Sequence, residues 1–286
     1  MEGFSLRINQ FLAHYTKHSR REAEKLVLEG RVKINHEHAK LASVVKENDK
    51  VFLDKRLIKP LKNKKFSVLV YHKPKGELVS KNDPLKRRVI YESLEKKYAH
   101  FVPVGRLDFA SEGVLLLSDS KAVVSALMHA NLEKEYLVKI QGFVTREMEN
   151  AMQEGLKLEN ATKGAHQKTP IKSMEFAPFI GYEIIKNHAK YSKIRVIINE
   201  GKNRELRRFF AFFNAGVLDL RRVRYGFVNL NALPVGKMRF LNRQEYNELH
   251  VFMANAANVK GGLAYELCYT LELGEIKNKG YHVRNY

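Results

Sequence analysis

The sequence predicts an α+β fold in two parts, with strands outnumbering helices. Three observations predict it. Residues 4–55 carry helix, cap and turn signals of their own. From Ser67 onward the pattern changes to short β runs separated by segments at helical spacing. With 286 residues, the chain can bury a sizeable core in more than one domain. The expected division is a small α/β module over 1–55, a linker over 56–66, the main domain over 67–250 and a tail over 251–286.

In the first part, Leu6, Phe11 and Leu12 predict a short helix. Ser19-Arg20-Arg21-Glu22 is a capping box, in which Ser19 caps the backbone three residues on and Glu22 reaches back. Ala23, Leu26 and Val27 form the apolar face of the second helix, and Gly30 suits its C-terminal end. Val32 and Ile34 alternate with Arg31 and Lys33 in a strand with one basic face; Val51 and Leu53 predict another. Lys17, Arg20, Arg21, Arg31 and Lys33 then fall near one side, as a phosphate-binding patch. Residues 56–66 are basic, contain Pro60 and lack apolar periodicity, which reads as a linker.

In the main part, Val68–Tyr71 is the first strand and His72-Lys73-Pro74-Lys75-Gly76 turns after it. Phe101–Val104 and Val114–Leu117 are strands, the latter apolar on both faces and so buried. Residues 119–131 predict a helix capped by Asp119, with Val123, Val124, Leu127 and Met128 at helical spacing. Tyr136–Ile140 alternates as a strand, and Thr145–Gln153 is helical. The polar stretch 155–171 is an exposed loop or hairpin. Residues 182–185 and 192–198 are strands, 203–214 helical, and 217–230 strand-like with a turn at Tyr225-Gly226.

The net charge of +20 attracts a polyanion over long range. Residues 1–66 hold twice as many basic as acidic side chains, and a second basic excess follows in the main domain, as for two surfaces on one nucleic acid. No apolar run approaches the length of a membrane span, and the first five residues lack the apolar core of a signal peptide. The single cysteine, Cys268, cannot form an internal disulfide, which fits a reducing cytoplasm. Without clustered cysteines, zinc knuckles and zinc-dependent base deaminases drop out. His36-Glu37-His38 lacks a nearby third ligand and reads as a surface turn, so no metal is expected. Nothing in the sequence demands an oligomer, and a monomer is expected.

The chemistry concentrates at Val104-Gly105-Arg106-Leu107-Asp108-Phe109-Ala110-Ser111-Glu112-Gly113-Val114-Leu115-Leu116-Leu117-Ser118. A charged Gly-Arg-x-Asp turn joins two apolar runs, which sets one carboxylate at the rim of a core sheet beside an Arg. This run resembles the signature G-R-L-D-x-x-T-x-G-L-L-L-L-T of the RsuA/RluB family of RNA pseudouridine synthases, with Ser111 for Thr and Val114 for Leu. Three further motifs follow in family order: Lys134-Glu135-Tyr136-Leu137-Val138, Glu200-Gly201-Lys202-Asn203-Arg204-Glu205-Leu206-Arg207-Arg208, and Leu220-Arg221-Arg222-Val223-Arg224-Tyr225-Gly226. His72 replaces the Asn of the family's N-K-P-x-G turn, and Glu205 replaces a Gln. Residues 19–35 resemble the RNA-binding module named after ribosomal small-subunit protein four.

The resemblance implies a catalytic domain of mixed, mainly antiparallel sheets with flanking helices, two sheets abutting along a cleft. It implies an isomerase that converts a uridine of structured ribosomal RNA to pseudouridine, with 23S RNA the favoured target and no cofactor. Asp108 takes the catalytic position, Tyr136 that of the tyrosine that stacks on the base, and Arg207 that of the guanidinium paired with the aspartate. Arg106, Lys202, Arg204, Arg208, Arg222 and Arg224 are expected to face RNA beside the N-terminal patch. Glu112 and Asp119, the alternative partners of Asp108 in a two-carboxylate site, are given structural roles. The rival reading is a non-catalytic ribosomal RNA-binding or assembly factor, which has no need of Asp108, Tyr136 and Arg207 together. A methyltransferase lacks its Gly-rich cofactor loop here, and a DNA-binding regulator has no use for the Gly-Arg-Leu-Asp turn.

Overall fold

The computed structural model describes residues 5–46, 48–58, 66–165 and 169–259. The chain divides into two compact units, one of residues 1–65 and 247–286, the other of residues 66–246. Among the described residues, no helix is long and apolar enough to cross a membrane.

The first unit begins with β1 (Ser5–Arg7), α1 (Ile8–Tyr15) and α2 (Arg20–Leu28). Leu6 therefore belongs to a strand, not to the first helix, because its backbone pairs with β4 (Val44–Lys46) opposite Val45. The capping box forms as expected: Glu22 N donates to Ser19 Oγ at 3.3 Å and Ser19 N to Glu22 Oε2 at 2.6 Å. Gly30 takes φ +69°, the left-handed conformation that ends the helix. A four-stranded sheet runs in the order β3 (Glu37–His38), β2 (Val32–Ile34), β5 (Val51–Leu53), β6 (Arg56–Ile58). Residues 56–58, expected at the head of the linker, thus pair with β5; residues 59–65 lie outside the described residues. Ile8, Leu12, Ala23 and Val32 are fully buried in this unit's core, the three larger side chains being worth about 1.5–3 kcal/mol each.

The second unit is built on one nine-stranded sheet. Its main path is β13 (Gly181–Lys186), β14 (Tyr191–Ile198), β10 (Lys134–Gln141), β15 (Val217–Tyr225), β9 (Glu112–Ser118), β7 (Val68–Lys73) and β17 (Met238–Phe240). β8 (Val102–Pro103) pairs with β9, and β16 (Val228–Asn229) with β15. All residues of β7 and β9 are buried, as the apolar runs Val68–Tyr71 and Val114–Leu117 within them require. β10 alternates instead, with Tyr136, Val138 and Ile140 on the core face.

Helices α3 (Ile90–Ser93), α4 (Lys121–His129), α5 (Arg146–Glu154), α6 (Glu205–Phe212) and α7 (Arg243–Val259) complete the order. Ser120, not Asp119, caps α4, because the Asp119 carboxylate is taken by Ser67 N at 2.9 Å and anchors the start of β7. The hairpin expected over 155–171 extends further, β11 (Leu156–Leu158) pairing with β12 (Met174–Phe176). α7 crosses the boundary drawn at residue 250; the rest of the expected tail, Gly261-Gly262 and Cys268 included, lies outside the described residues.

Antiparallel pairing runs through both sides of the sheet, and among its described strands only β15 and β9 are parallel, over Arg221↔Glu112 and Arg222↔Gly113. The two sides abut at this short junction. Gly113 sits there at φ +118°, and a Cβ on it would lie 2.1 Å from Arg222 O. Backbone on both sides leaves nothing flexible to yield. Gly113→Ala is therefore expected to destabilise the unit by about 3 kcal/mol or more; an unchanged thermal midpoint would refute this account of the junction.

Candidate active site

The turn before the junction carries Asp108, and a buried cation holds it. Lys73 ends β7 with no exposed surface, and its Nζ donates to Pro74 O at 2.8 Å, Asp108 O at 3.2 Å and Ser111 O at 2.9 Å. Ser111 N closes the turn onto Asp108 O at 3.0 Å, and Gly76 N takes Phe109 O at 2.7 Å. Burial pushes the Lys73 ammonium down to about 8, with Glu77 and Asp108 opposing the drop.

Two arginines from around the start of α6 meet the carboxylate. Arg204 Nη1 lies 3.3 Å and Arg207 Nε 3.5 Å from Asp108 Oδ2. Arg207 also donates through Nη2 to Ala110 O at 3.0 Å and Ser111 Oγ at 3.1 Å, so it grips the turn as well as its side chain. Burial lowers its pKa, with Asp108 resisting. Arg204 is the N-cap of α6 in the left-handed conformation, φ +53°, and its Nε donates to Gly164 O at 2.7 Å. A non-glycine residue held there is strained, and the two contacts offset the strain. Asp108 Oδ1 has no partner among the described residues.

Behind Asp108 lies a cleft of about 330 Å³, lined by Leu107, Tyr136, Ile198, Leu220 and Tyr225 among its apolar and aromatic members. Tyr136 is 7% exposed and stands beside a β-bulge of β10, opposite Arg222 of β15. Its hydroxyl bonds no described residue. Arg222 is buried, its Nε on Val114 O at 2.8 Å, its guanidinium 5.1 Å from the Tyr225 ring and its Nη2 unpartnered. Lys134 Nζ is held by Leu132 O at 2.9 Å and Asn199 O at 2.8 Å; burial, then Arg222, lowers its pKa. Glu205 also lines the cleft, 6% exposed, its Oε2 accepting from Lys202 N at 2.9 Å. Burial pushes its carboxyl up to about 7; the Lys202 N–H bond opposes this, Glu200 adds to it, and Lys202 and Lys134 oppose it. This arrangement sets the Asp108 carboxylate, with one oxygen unpartnered among the described residues, in the lining of a cleft that Tyr136 and Tyr225 also line.

Comparison with known proteins agrees with the geometry. Residues 67–212 match the family model for RNA pseudouridylate synthase, and residues 6–51 match the S4 domain. The chain is 97% identical over 261 residues to an RNA pseudouridine synthase of Helicobacter pylori, covering 91% of this chain and all of that one. It is 34% identical to ribosomal large subunit pseudouridine synthase B of Vibrio cholerae, over 86% of this chain and 74% of that one. The crystal structure of a pseudouridylate synthase superposes with a TM-score of 0.57 at 25% identity, covering 85% of this chain and 99% of that chain.

The chain belongs to the RNA pseudouridylate synthase family. It is of the RluB/RsuA type, with an S4 module ahead of the synthase fold, and the family are isomerases acting on RNA.

Within this synthase the residues expected to face RNA divide. Lys17, Arg20, Arg21 and Lys33 of the S4 module are exposed. Arg31 is exposed too, but a bidentate pair with Asp54, at 2.8 and 2.7 Å, and a contact to Glu29 occupy its guanidinium. Arg106 stands exposed at the cleft with no hydrogen bond or ion pair to a described residue. Lys202 lines the cleft and reaches Glu175 O at 2.6 Å and Glu200 at 2.7 Å.

Three expectations are corrected. Arg208 is wholly buried, donating to Ala161 O, Ile171 O, Thr169 Oγ1 and Asn203 Oδ1, and ties the 161–171 loop to α6 instead of facing RNA. Arg222 lies in the pocket wall, not on an open strand face. Arg224 is spent on Glu133 at 2.9 Å and Glu135 at 3.1 Å. Glu112 is buried and paired with Arg221, a structural role as expected. His36 and His38 are exposed, and no group of three metal-ligating side chains occurs among the described residues.

Sequence reasoning missed Lys73 and the second arginine on Asp108. The signal for Lys73 was its place at the end of β7, just after the apolar run Val68–Tyr71. Nothing local to Arg204 marks it as the partner of a residue ninety-six positions away.

Proposed function

We propose that this synthase isomerises one uridine of ribosomal RNA, with 23S RNA of the large subunit as its target, in the cytoplasm and as a monomer. Asp108 is the catalytic carboxylate. Its Oδ1, unpartnered among the described residues in the cleft that Tyr136 and Tyr225 also line, is the observation that carries this reading. The target nucleotide turns out of its stack into the cleft, Tyr136 supports the ring, and the carboxylate meets the sugar at the base junction. Arg204 and Arg207 hold the carboxylate from its other side, so its orientation is set before substrate arrives. The C1′–N1 bond breaks, the ring turns, and C5 bonds to C1′. Atoms are conserved, and no cofactor is required. The large-subunit target rests on the likeness to the Vibrio enzyme named for that subunit.

Mapping pseudouridine in ribosomal RNA from cells with and without the gene, by carbodiimide labelling and primer extension, tests this directly. Loss of one stop in 23S RNA is the expected result. An unchanged map would favour an assembly factor. The S4 module is expected to supply electrostatic affinity. Arg20→Ala, Arg21→Ala and Lys33→Ala together should lower the slope of log K against log salt by about two to three. An unchanged slope would remove these residues from the RNA interface.

A further inference from the structure

Three carboxyl groups line the cleft, and two have cationic partners: Asp108 with Arg204 and Arg207, Glu200 with Lys202. Glu205 has no ion pair among the described residues, although it is buried and cations stand close by. The reason is geometric. Lys134 is turned to two backbone carbonyls, Arg222 to Val114 O, Lys202 to Glu175 and Glu200, and Arg204 to Gly164 and Asp108. Among the described residues the one hydrogen bond to the Glu205 carboxyl is the backbone N–H of Lys202 on Oε2, so Oε1 has no partner there, in a residue that lines the cleft.

We propose that Glu205 is a specificity-determining group for the flipped base, its Oε1–H donating to a ring carbonyl oxygen of uracil beside N3. This rests on the synthase reading above. The reaction exchanges N1 for C5 at the sugar, which is a half-turn of the ring about the axis through N3 and C6. That turn leaves N3 in place and interchanges O2 with O4. A donor set against the N3 end therefore meets a carbonyl oxygen before and after the turn.

The proton on Glu205 matters for the intermediate. When the C1′–N1 bond breaks, its electron pair passes to N1 and spreads onto O2 and O4. A neutral carboxyl donates to that charge, whereas an ionised one repels it. At the end N1 has gained a proton and C5 has lost one, and Glu205 retains its own. The groups around Glu205 that tune its ionisation are Lys134 of β10, Arg222 of β15, and Glu200 and Lys202 of the preceding loop. Burial raises it to about 7 against the opposing cations, so the productive form is lost above neutral pH.

The test is single-turnover pseudouridylation by the full-length protein, with ribosomal RNA from a strain lacking the gene as substrate, across about pH 5.5 to 9. The wild-type rate should fall about ten-fold per unit above an inflection near 7. In E205Q the amide N–H donates at every pH, and that inflection should vanish. E205A should turn over about 10²-fold more slowly at pH 6, with RNA affinity within about two-fold. A purely structural role would change stability but would not remove an inflection in Gln alone. Wild-type turnover with the same inflection in E205Q, or E205A at the wild-type rate, overturns this inference and leaves the proposed function intact. No turnover by the wild type on ribosomal RNA overturns both.

Discussion

Asp108→Asn should bind RNA as the wild type does and leave the uridine unchanged. The substitution keeps the shape of the side chain, and Lys73 still holds the turn through backbone carbonyls. What is lost is the charge between Arg204 and Arg207 and the oxygen able to attack the sugar or take its proton. Removal of a reacting group of this kind costs roughly 10⁴-fold or more in turnover. RNA affinity should hold within about two-fold or rise, since a negative charge has left the path of a polyanion. Single-turnover rates and filter binding on the same RNA check both parts. A residual rate within about a hundred-fold of wild type would move the catalytic role away from Asp108.

Lys73→Met is the second large effect, expected on stability and on turnover together. The Met side chain fills most of the volume of the lysine stem but donates nothing, so three buried carbonyl oxygens lose their partner. At about 1–3 kcal/mol for each stranded acceptor, partly relieved by relaxation, a loss of about 4 kcal/mol is expected. Relaxation moves the Asp108 turn, and a displacement of about 1 Å is enough to cost about 10²-fold in turnover. The variant should also change how stability follows pH. The folded ammonium titrates at about 8, while in the unfolded chain it titrates near 10.4. Between those values the unfolded state keeps a proton that the folded state has released, so wild-type stability rises with pH in that window. Lys73→Met should lack this rise. Denaturant unfolding of both proteins from about pH 7 to 10.5 checks it; parallel curves would place Lys73 in a site where burial does not perturb it.

Much of the fold was legible because it is local. The Ser19–Glu22 capping box, the Gly30 stop, the alternation in β10 and the apolar run of β9 each express a preference of a few adjacent residues. The Gly-Arg-Leu-Asp turn was legible for the same reason, since a charged turn between two buried strands can only sit at a rim. The readings that failed were those in which a polar group had two possible partners. Asp119 could cap a helix or bind the start of β7, and the position of β7 decided it. Arg56–Ile58 looked like linker because its pairing partner, β5, is not written into its own composition.

The sequence by itself determined the two-part α+β organisation, the strongly basic character, and the motifs that set Asp108, Tyr136 and Arg207 in family order. Only the tertiary structure decided which basic residues are available to RNA. Arg208, Arg222 and Arg224 lie in motifs of the same family set as that of the exposed Arg106, yet each is held by carbonyls or carboxylates from other strands and loops. It also decided that Arg204 shares Asp108, that Lys73 carries the turn, and that Glu205 is buried without an ion pair. The physical reason is common to all of them. The state of a charged side chain depends on solvent access and on partners brought from elsewhere in the chain, and neither is encoded at its own position.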